Sequence, residues 1–167
     1  HAVMQYIPLT EQWNEADITE WLARFVAEEK ITAEEANVID VSAIEQFFQT
    51  EIAELMLAHD NVQREVPFTY ALAAKEVYPD WKSETNEQVL IQGVMDCIVH
   101  TDEGAIIVDY KTDTIEDAEV TDELLKKLKE RYRVQIDLYK RALADVLQTD
   151  IKGAYVYFFA KDLTIKM

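Results

Sequence analysis

The sequence predicts an α/β fold, a mixed central sheet flanked by helices, with a helical N-terminal region. Three observations predict it. Residues 1 to about 60 carry apolar side chains at helical spacing. Residues 62–112 read as three strands separated by turn signals. Residues 123–147 form a long amphipathic stretch that leads into a last apolar, aromatic-rich strand.

In the N-terminal region Trp13, Ile18, Trp21, Leu22, Phe25 and Val26 fall near a 3.6-residue period, and Ile44, Phe47, Phe48, Ile52, Leu55 and Met56 make a second stripe. Thr32 with Glu35, and Ser42 with Glu45, have the spacing of capping boxes. The first strand is expected over 62–72, with Pro67 placing it at an edge or an end. Residues 75–87, including Tyr78-Pro-Asp-Trp81, read as a loop. A hairpin follows: a strand over 89–100, a tight turn at Thr101-Asp-Glu-Gly104, and a returning strand over 105–112. An acidic connection over 113–122 is a candidate mobile segment. The long helix shows Leu125, Leu128, Tyr132, Ile136, Tyr139, Leu143 and Val146 on one stripe. Gly153 is expected to end the next connection, before a buried strand over 154–159. No repeat or second domain interrupts this pattern. The chain reads as a single domain, with a helical part over about 1–60 and a core over about 61–167. His1-Ala-Val-Met reads as the interior of an element, as in a piece cut from a longer chain.

Composition narrows the function. The chain has 167 residues, enough for one domain with a real core. No apolar run approaches the ~18 residues of a membrane span, and the start has no signal-peptide pattern. Cys97 is the only cysteine, so internal disulfides and four-cysteine metal sites are excluded. A buried thiol and a reducing, cytoplasmic setting fit it. Sixteen basic residues face 33 acidic ones, a net charge of −17, which taken alone argues against a nucleic-acid binder. The basic residues are nevertheless concentrated: Lys126, Lys127, Lys129, Arg131, Arg133, Lys140 and Arg141 share one short segment. A bound cation also reverses the local field where a phosphate must approach.

The most informative residues are Asp96, Asp109 and Lys111. If Asp102 and Glu103 form a two-residue hairpin loop, Asp96 lies directly across from Asp109. Opposed like charges in a hairpin are destabilising. A bulge at Gly104 would shift that register by one. Lys111 shares the face of Asp109. A surface hairpin with a simple salt bridge is the bland alternative, but Ile-Ile-Val-Asp109-Tyr-Lys is too apolar for an exposed edge and reads as a central strand. Two opposed carboxylates and a lysine then make sense around a divalent cation. Gly93 points to a bulge or a close backbone approach. Gln135 and Tyr139 share a helix face, with Arg131 one turn earlier, a polar row able to orient a phosphate. Glu65 reads on its own as a surface acid, and His59 and His100 as surface residues. Glycine-rich phosphate loops, Ser-His-Asp or Cys-His arrangements and helical His-x-x-x-His pairs are missing.

Gly93-x-x-Asp96, Asp109-Tyr-Lys111-Thr and Gln135-x-x-x-Tyr139, in that order, resemble the RecB-type branch of the PD-(D/E)XK nuclease superfamily. His1-Ala-Val-Met-Gln, Arg64-Glu-Val-Pro-Phe68, Gln92-Gly-Val-Met-Asp-Cys, Val108-Asp-Tyr-Lys-Thr-Asp113 and Arg131-Tyr-Arg-Val-Gln-Ile-Asp-Leu-Tyr139 are similar to the C-terminal nuclease domains of the AddA family of bacterial helicase–nucleases. The similarity runs over essentially the whole chain, through Tyr155-Val-Tyr-Phe-Phe159.

The resemblance implies a restriction-endonuclease-like core of αβββαβ type. It implies a divalent-metal exodeoxyribonuclease acting on the single strand unwound from DNA ends in double-strand break repair and recombination. Its partners would be the ATP-dependent helicase part of the same chain and an AddB-like subunit, with no membrane. Asp96 and Asp109 would be metal ligands, joined by the Tyr110 backbone carbonyl and by His1. Lys111 would position the attacking water and stabilise charge on the phosphate. Glu65 matches a further acidic position near the site, and Gln135 and Tyr139 the motif beside the scissile strand. Magnesium suits such an oxygen-rich site and manganese should substitute. Some relatives hold an iron–sulfur cluster on four cysteines, which one cysteine excludes here. The Gly-Thr that usually precedes the family histidine is missing. The rival reading is a catalytically silent nuclease-fold module that docks a helicase or partner subunit, which the acidic surface suits.

Overall fold

The computed structural model describes residues 2–77, 80, 87–117 and 119–167. His1 and most of the Tyr78-Pro-Asp-Trp81 segment lie outside the described residues. Five helices come first: α1 (Ala2–Tyr6), α2 (Glu15–Ala27), α3 (Ala33–Asn37), α4 (Val41–Phe48) and α5 (Glu51–Ala58). Then come β1 (Val62–Ala73), the short α6 (Ala74–Val77), β2 (Gln88–Thr101), β3 (Gly104–Lys111), α7 (Asp122–Leu147), β4 (Ile151–Phe158), a 3-10 turn (Phe159–Lys161) and β5 (Leu163–Lys166). The sheet order is β1-β2-β3-β4-β5; β3 and β4 are parallel and the other neighbours antiparallel. The expected mixed α/β sheet flanked by helices is therefore observed, with β1 at an edge and β3 in the middle.

The sheet separates two apolar layers. Beneath the N-terminal helices, Phe47, Phe48, Ile52 and Met56 pack with Cys97, Val99, Val108, Tyr110 and Tyr157. On the other face α7 lays Leu124, Leu128, Tyr132, Ile136, Tyr139 and Leu143 over Met95, Ile98, Ile107, Val156 and Phe158. β3 is buried along nearly its whole length, and its alternate residues feed both layers. This explains its near-continuous apolar sequence.

Several local expectations need correction. The Thr32–Glu35 capping box forms, but α4 is capped by Asp40, whose carboxylate accepts the Ala43 N–H, and not by Ser42. Leu124 is buried in the α7 stripe, whereas Leu125 is only partly buried and Val146 is 63% exposed near the helix end. Residues 75–77, expected in a loop, lie in α6. Gly153 sits inside β4, which begins at Ile151, and β5 is an additional strand that the sequence pattern does not predict.

The hairpin has the two-residue loop: Thr101 pairs with Gly104, and the rungs run to Cys97 and Val108. Gly104 has φ +135, and a Cβ there would lie 2.6 Å from the Asp150 carbonyl oxygen, so glycine is required. The register irregularity falls instead between Ala105 and Ile106, against β4.

β1 and β2 continue past β3 as a two-stranded ribbon, from Val66–Met95 to Ala73–Gln88. Near its base, opposite Asp96 in register, Glu65 adopts left-handed φ +52. Both strands exchange faces there. Val62, Cys97 and Val99 belong to the layer under the N-terminal helices, whereas Val66, Phe68, Tyr70 and Met95 pack with α7. The hydrogen-bond phase changes too. His100 donates to Asn61 below this point and Ala74 to Glu87 above it, on rungs of opposite parity. Pro67 therefore falls at a position that needs no N–H, which is how proline is tolerated inside β1.

Candidate active site

The mouth of the cleft between β2, β3 and α7 holds most of the residues singled out from the sequence. A cavity of about 480 Å³ is lined by Asp96, Asp109, Lys111, Arg131, Gln135 and Tyr139, with Tyr132 and Asp113 beside them. β3 supplies Asp109 and Lys111 on its α7 face, two residues apart, while Tyr110 between them points into the opposite layer. β2 supplies Asp96, and one face of α7 supplies Arg131, Gln135 and Tyr139.

Asp109 is 3% exposed. Its Oδ2 lies 2.9 Å from Lys111 Nζ, and no hydrogen-bond donor among the described residues serves that oxygen beyond this ion pair. Asp96 accepts the backbone N–H of Tyr110 at 2.8 Å. The two carboxyl groups are within hydrogen-bonding reach of each other, which requires a shared proton when no cation is bound. Burial is the main cause of a rise in the Asp109 pKa to about 6; Lys111 opposes it and Asp96 adds to it. Asp96 is also raised, chiefly by burial, with the Tyr110 N–H opposing and the Glu65 charge contributing.

Lys111 is fixed from several sides. Its Nζ donates to Gln135 Oε1 at 2.8 Å and lies 4.8 Å from the centroid of the Tyr132 ring. Gln135 Nε2 in turn donates to the Tyr139 hydroxyl at 2.9 Å. The Tyr139 ring meets Phe68 edge-on, centroids 5.3 Å apart. Gly93 is the cross-strand partner of Phe68, and a Cβ there would come within 2.8 Å of the Phe68 ring. The close approach expected at Gly93 is thus made by an aromatic ring and not by backbone, and it supports the far end of the Lys111–Gln135–Tyr139 row. An Arg141–Glu76 ion pair at 3.1 Å ties the ribbon's far end to α7.

Not every expected residue joins. Glu65 lies across β2 from the pair; its charge reaches Asp96, but among the described residues no group of three or more His, Cys, Asp or Glu side chains has the arrangement of a metal site. His1 lies outside the described residues. His100 hydrogen-bonds Gln63 and His59 the Leu55 carbonyl, away from the cleft. Cys97 is buried in the core, its thiol pushed up to about 12 mainly by burial. Two cleft residues escape the sequence pattern. Tyr132 reads there as core, and Asp113, from the acidic connection, accepts a hydrogen bond from the Tyr132 hydroxyl. Burial, with Asp113 adding, pushes that phenol up to about 12, so it stays protonated and a donor at neutral pH.

The donor set suits a hard divalent cation: two adjacent carboxylates, one buried and ordinarily forced to share a proton, with no thiolate or imidazole beside them among the described residues. Magnesium commonly takes one or two protein carboxylates and fills its other positions with water or phosphate oxygens, so a two-carboxylate site is sufficient.

Comparison with known proteins agrees with this chemistry. The PD-(D/E)XK nuclease superfamily profile matches residues 1–166. An AddA-type ATP-dependent helicase/nuclease of Oceanobacillus iheyensis is 44% identical over 167 residues, covering 100% of this chain and 13% of that protein. One from Bacillus cereus (strain AH187) is 40% identical over 169 residues, with 100% and 14% covered. One from Bacillus cytotoxicus is 41% identical over 161 residues, with 95% and 13% covered. The chain thus spans only a small part, 13–14%, of the length of these relatives. No helix among the described residues is long and apolar enough to cross a membrane.

Proposed function

The chain belongs to the PD-(D/E)XK nuclease superfamily, and from that premise we propose that it is a magnesium-dependent deoxyribonuclease domain, the nuclease part of an AddA-type helicase–nuclease. Its substrate is the single strand delivered from an unwound duplex end in break repair and recombination. Its partners are the ATP-dependent helicase part of the same protein and an AddB-like subunit in the cytoplasm. The observation that carries this reading is one cleft holding the Asp96–Asp109 pair, Lys111 bridged to Asp109, and the Gln135–Tyr139 row behind it.

Asp96 and Asp109 hold the cation, with the Tyr110 carbonyl as a further oxygen ligand and His1 as a contributor. Manganese substitutes for magnesium. The bound cation supplies Lewis-acid polarisation of a phosphate oxygen and lowers the pKa of a water nucleophile. Lys111, fixed by Asp109 and Gln135, presents its remaining N–H to the water and the developing phosphate charge. Gln135 and Tyr139 orient the strand beside the scissile bond, and Glu65 tunes the pair electrostatically through Asp96. Arg131, exposed at the rim, meets a neighbouring phosphate. The net charge of −17 repels a polyanion everywhere else, which suits a strand threaded to the cleft by another part of the protein.

The test is cleavage of end-labelled single-stranded DNA with magnesium, manganese or EDTA, beside Asp109→Ala. Cleavage that needs metal and disappears in the variant supports the reading. Cleavage that survives in Asp109→Ala removes the site assignment. No cleavage by either protein, even with manganese at high concentration, favours the silent docking module.

A further inference from the structure

Two side chains in the cleft, Tyr132 and Asp113, have no part in the chemistry above, yet both contact its lysine directly or at one remove. The Lys111 ammonium has three N–H groups. Asp109 and Gln135 take two of them, at 2.9 and 2.8 Å. Neither contact by itself fixes the long aliphatic stem. The Tyr132 ring lies 4.8 Å from Nζ and offers its face to the cation.

The ring is itself held at several points. Its backbone is in the middle of α7, one edge packs against Phe158 with centroids 5.6 Å apart, and its hydroxyl donates to Asp113 Oδ2. Asp113 follows Lys111 by two residues, just past the end of β3. The same short segment therefore supplies both the cation that rests on the ring and the carboxylate that pins the ring. Arg131 adds its guanidinium 5.4 Å from the same ring. A tyrosine kept only for packing would use neither its hydroxyl nor its π face in this way.

We propose that Tyr132, locked by Asp113, is a positioning residue that holds the Lys111 ammonium at the reaction centre. It acts through Lys111 and touches neither metal nor phosphate. The inference rests on the nuclease reading for its catalytic meaning. Its geometric content, that the Asp113–Tyr132 bond places Lys111, can be read without any turnover.

The experiment uses the 167-residue chain as wild type and as Asp113→Ala, Asp113→Asn, Tyr132→Phe and Tyr132→Leu. Lys111 side-chain resonances are assigned by their loss in Lys111→Ala. In wild type they should be shifted upfield by the tyrosine ring current. Asp113→Asn keeps an acceptor for the hydroxyl and should keep the shift. Asp113→Ala and Tyr132→Phe should reduce it, and Tyr132→Leu should abolish it. In single-stranded DNA cleavage, Tyr132→Leu and Asp113→Ala should lower kcat by roughly 10- to 100-fold, as expected for a reacting group misplaced by about 1 Å. KM should change little, and Asp113→Asn should recover most of the loss. Lys111 resonances without an upfield shift in wild type, or a shift unmoved in Asp113→Ala, would overturn the inference whatever the activity. So would full kcat in a folded Tyr132→Leu. If no protein cleaves DNA but the ring-current pattern follows the expected order, the positioning geometry stands and the nuclease reading fails.

Discussion

The carboxylate of Asp96 accepts the backbone N–H of Tyr110 at 2.8 Å. Tyr110 lies one residue beyond the position that faces Asp96 in the hairpin register, and the last backbone rung is Cys97–Val108. A side chain of β2 thus takes up a donor of β3 where the ladder stops. The bond fixes Asp96 against Asp109 and keeps two acids together in a place that burial makes unfavourable for either.

Stability without metal should fall as pH rises. The folded Asp109 titrates near 6, raised from an ordinary 3.8 mainly by burial. The folded state therefore holds this proton more tightly than the unfolded chain. The resulting stabilisation is complete below the unfolded value, near 4, and is lost as pH rises through about 6. Asp109→Asn removes the titration, so its advantage over wild type in EDTA should grow between pH 4 and 7. It should reach on the order of 1–3 kcal/mol at pH 7.5. Paired thermal or urea unfolding at the two pH values reads the difference.

Glu65 keeps a left-handed conformation that side chains rarely adopt. Such strain costs of order 1–3 kcal/mol and persists where the surroundings demand it. Glu65→Gly should leave stability unchanged or raise it by up to about 1 kcal/mol, whereas Glu65→Val should lower it by more than about 1 kcal/mol because β-branching opposes that conformation. Urea midpoints of the two variants check the order.

Gly93→Ala tests the support behind the polar row. The added methyl meets the Phe68 ring at 2.8 Å, so the ring must move and Tyr139 with it. The expected cost is about 1–3 kcal/mol of stability from overpacking, with cleavage lowered beyond what that destabilisation explains. Pairing it with Phe68→Leu, which makes room for the methyl, should recover stability without recovering the Tyr139 contact.

Arg131→Ala should weaken single-stranded DNA binding and reduce the slope of log K against log salt by about 0.7, the signature of one lost phosphate contact on a single strand. Its cation titration should be unchanged. Fluorescence anisotropy with a labelled oligonucleotide at several salt concentrations measures the slope.

The core of the site is legible in the sequence because a two-residue turn leaves one register, and that register sets Asp96 beside Asp109. The central place of β3 follows from its unbroken apolar run. The reversal at Glu65 is not legible, since no glycine or asparagine marks it; Pro67, which needs a position without an N–H donor, is the available signal. Tyr132 is hidden by sitting on the apolar stripe of α7, where periodicity gives the buried face but not which residue borders a cleft. Asp113 looks like one more acid in an acidic connection. β5 is four residues long, too short for alternation to separate it from a loop. Asp40 caps α4 where Ser42 has the right spacing, because several side chains near a helix start can compete for the same free N–H groups.

The most direct test of the central claim is a calorimetric titration of magnesium into the chain at pH 7.5, run beside Asp96→Asn and Asp109→Asn. The expected result is one site in wild type, lost in both variants and weakened in wild type at pH 5, where the proton on Asp109 competes with the cation. Magnesium binding that survives either substitution unchanged would contradict a cation held between Asp96 and Asp109.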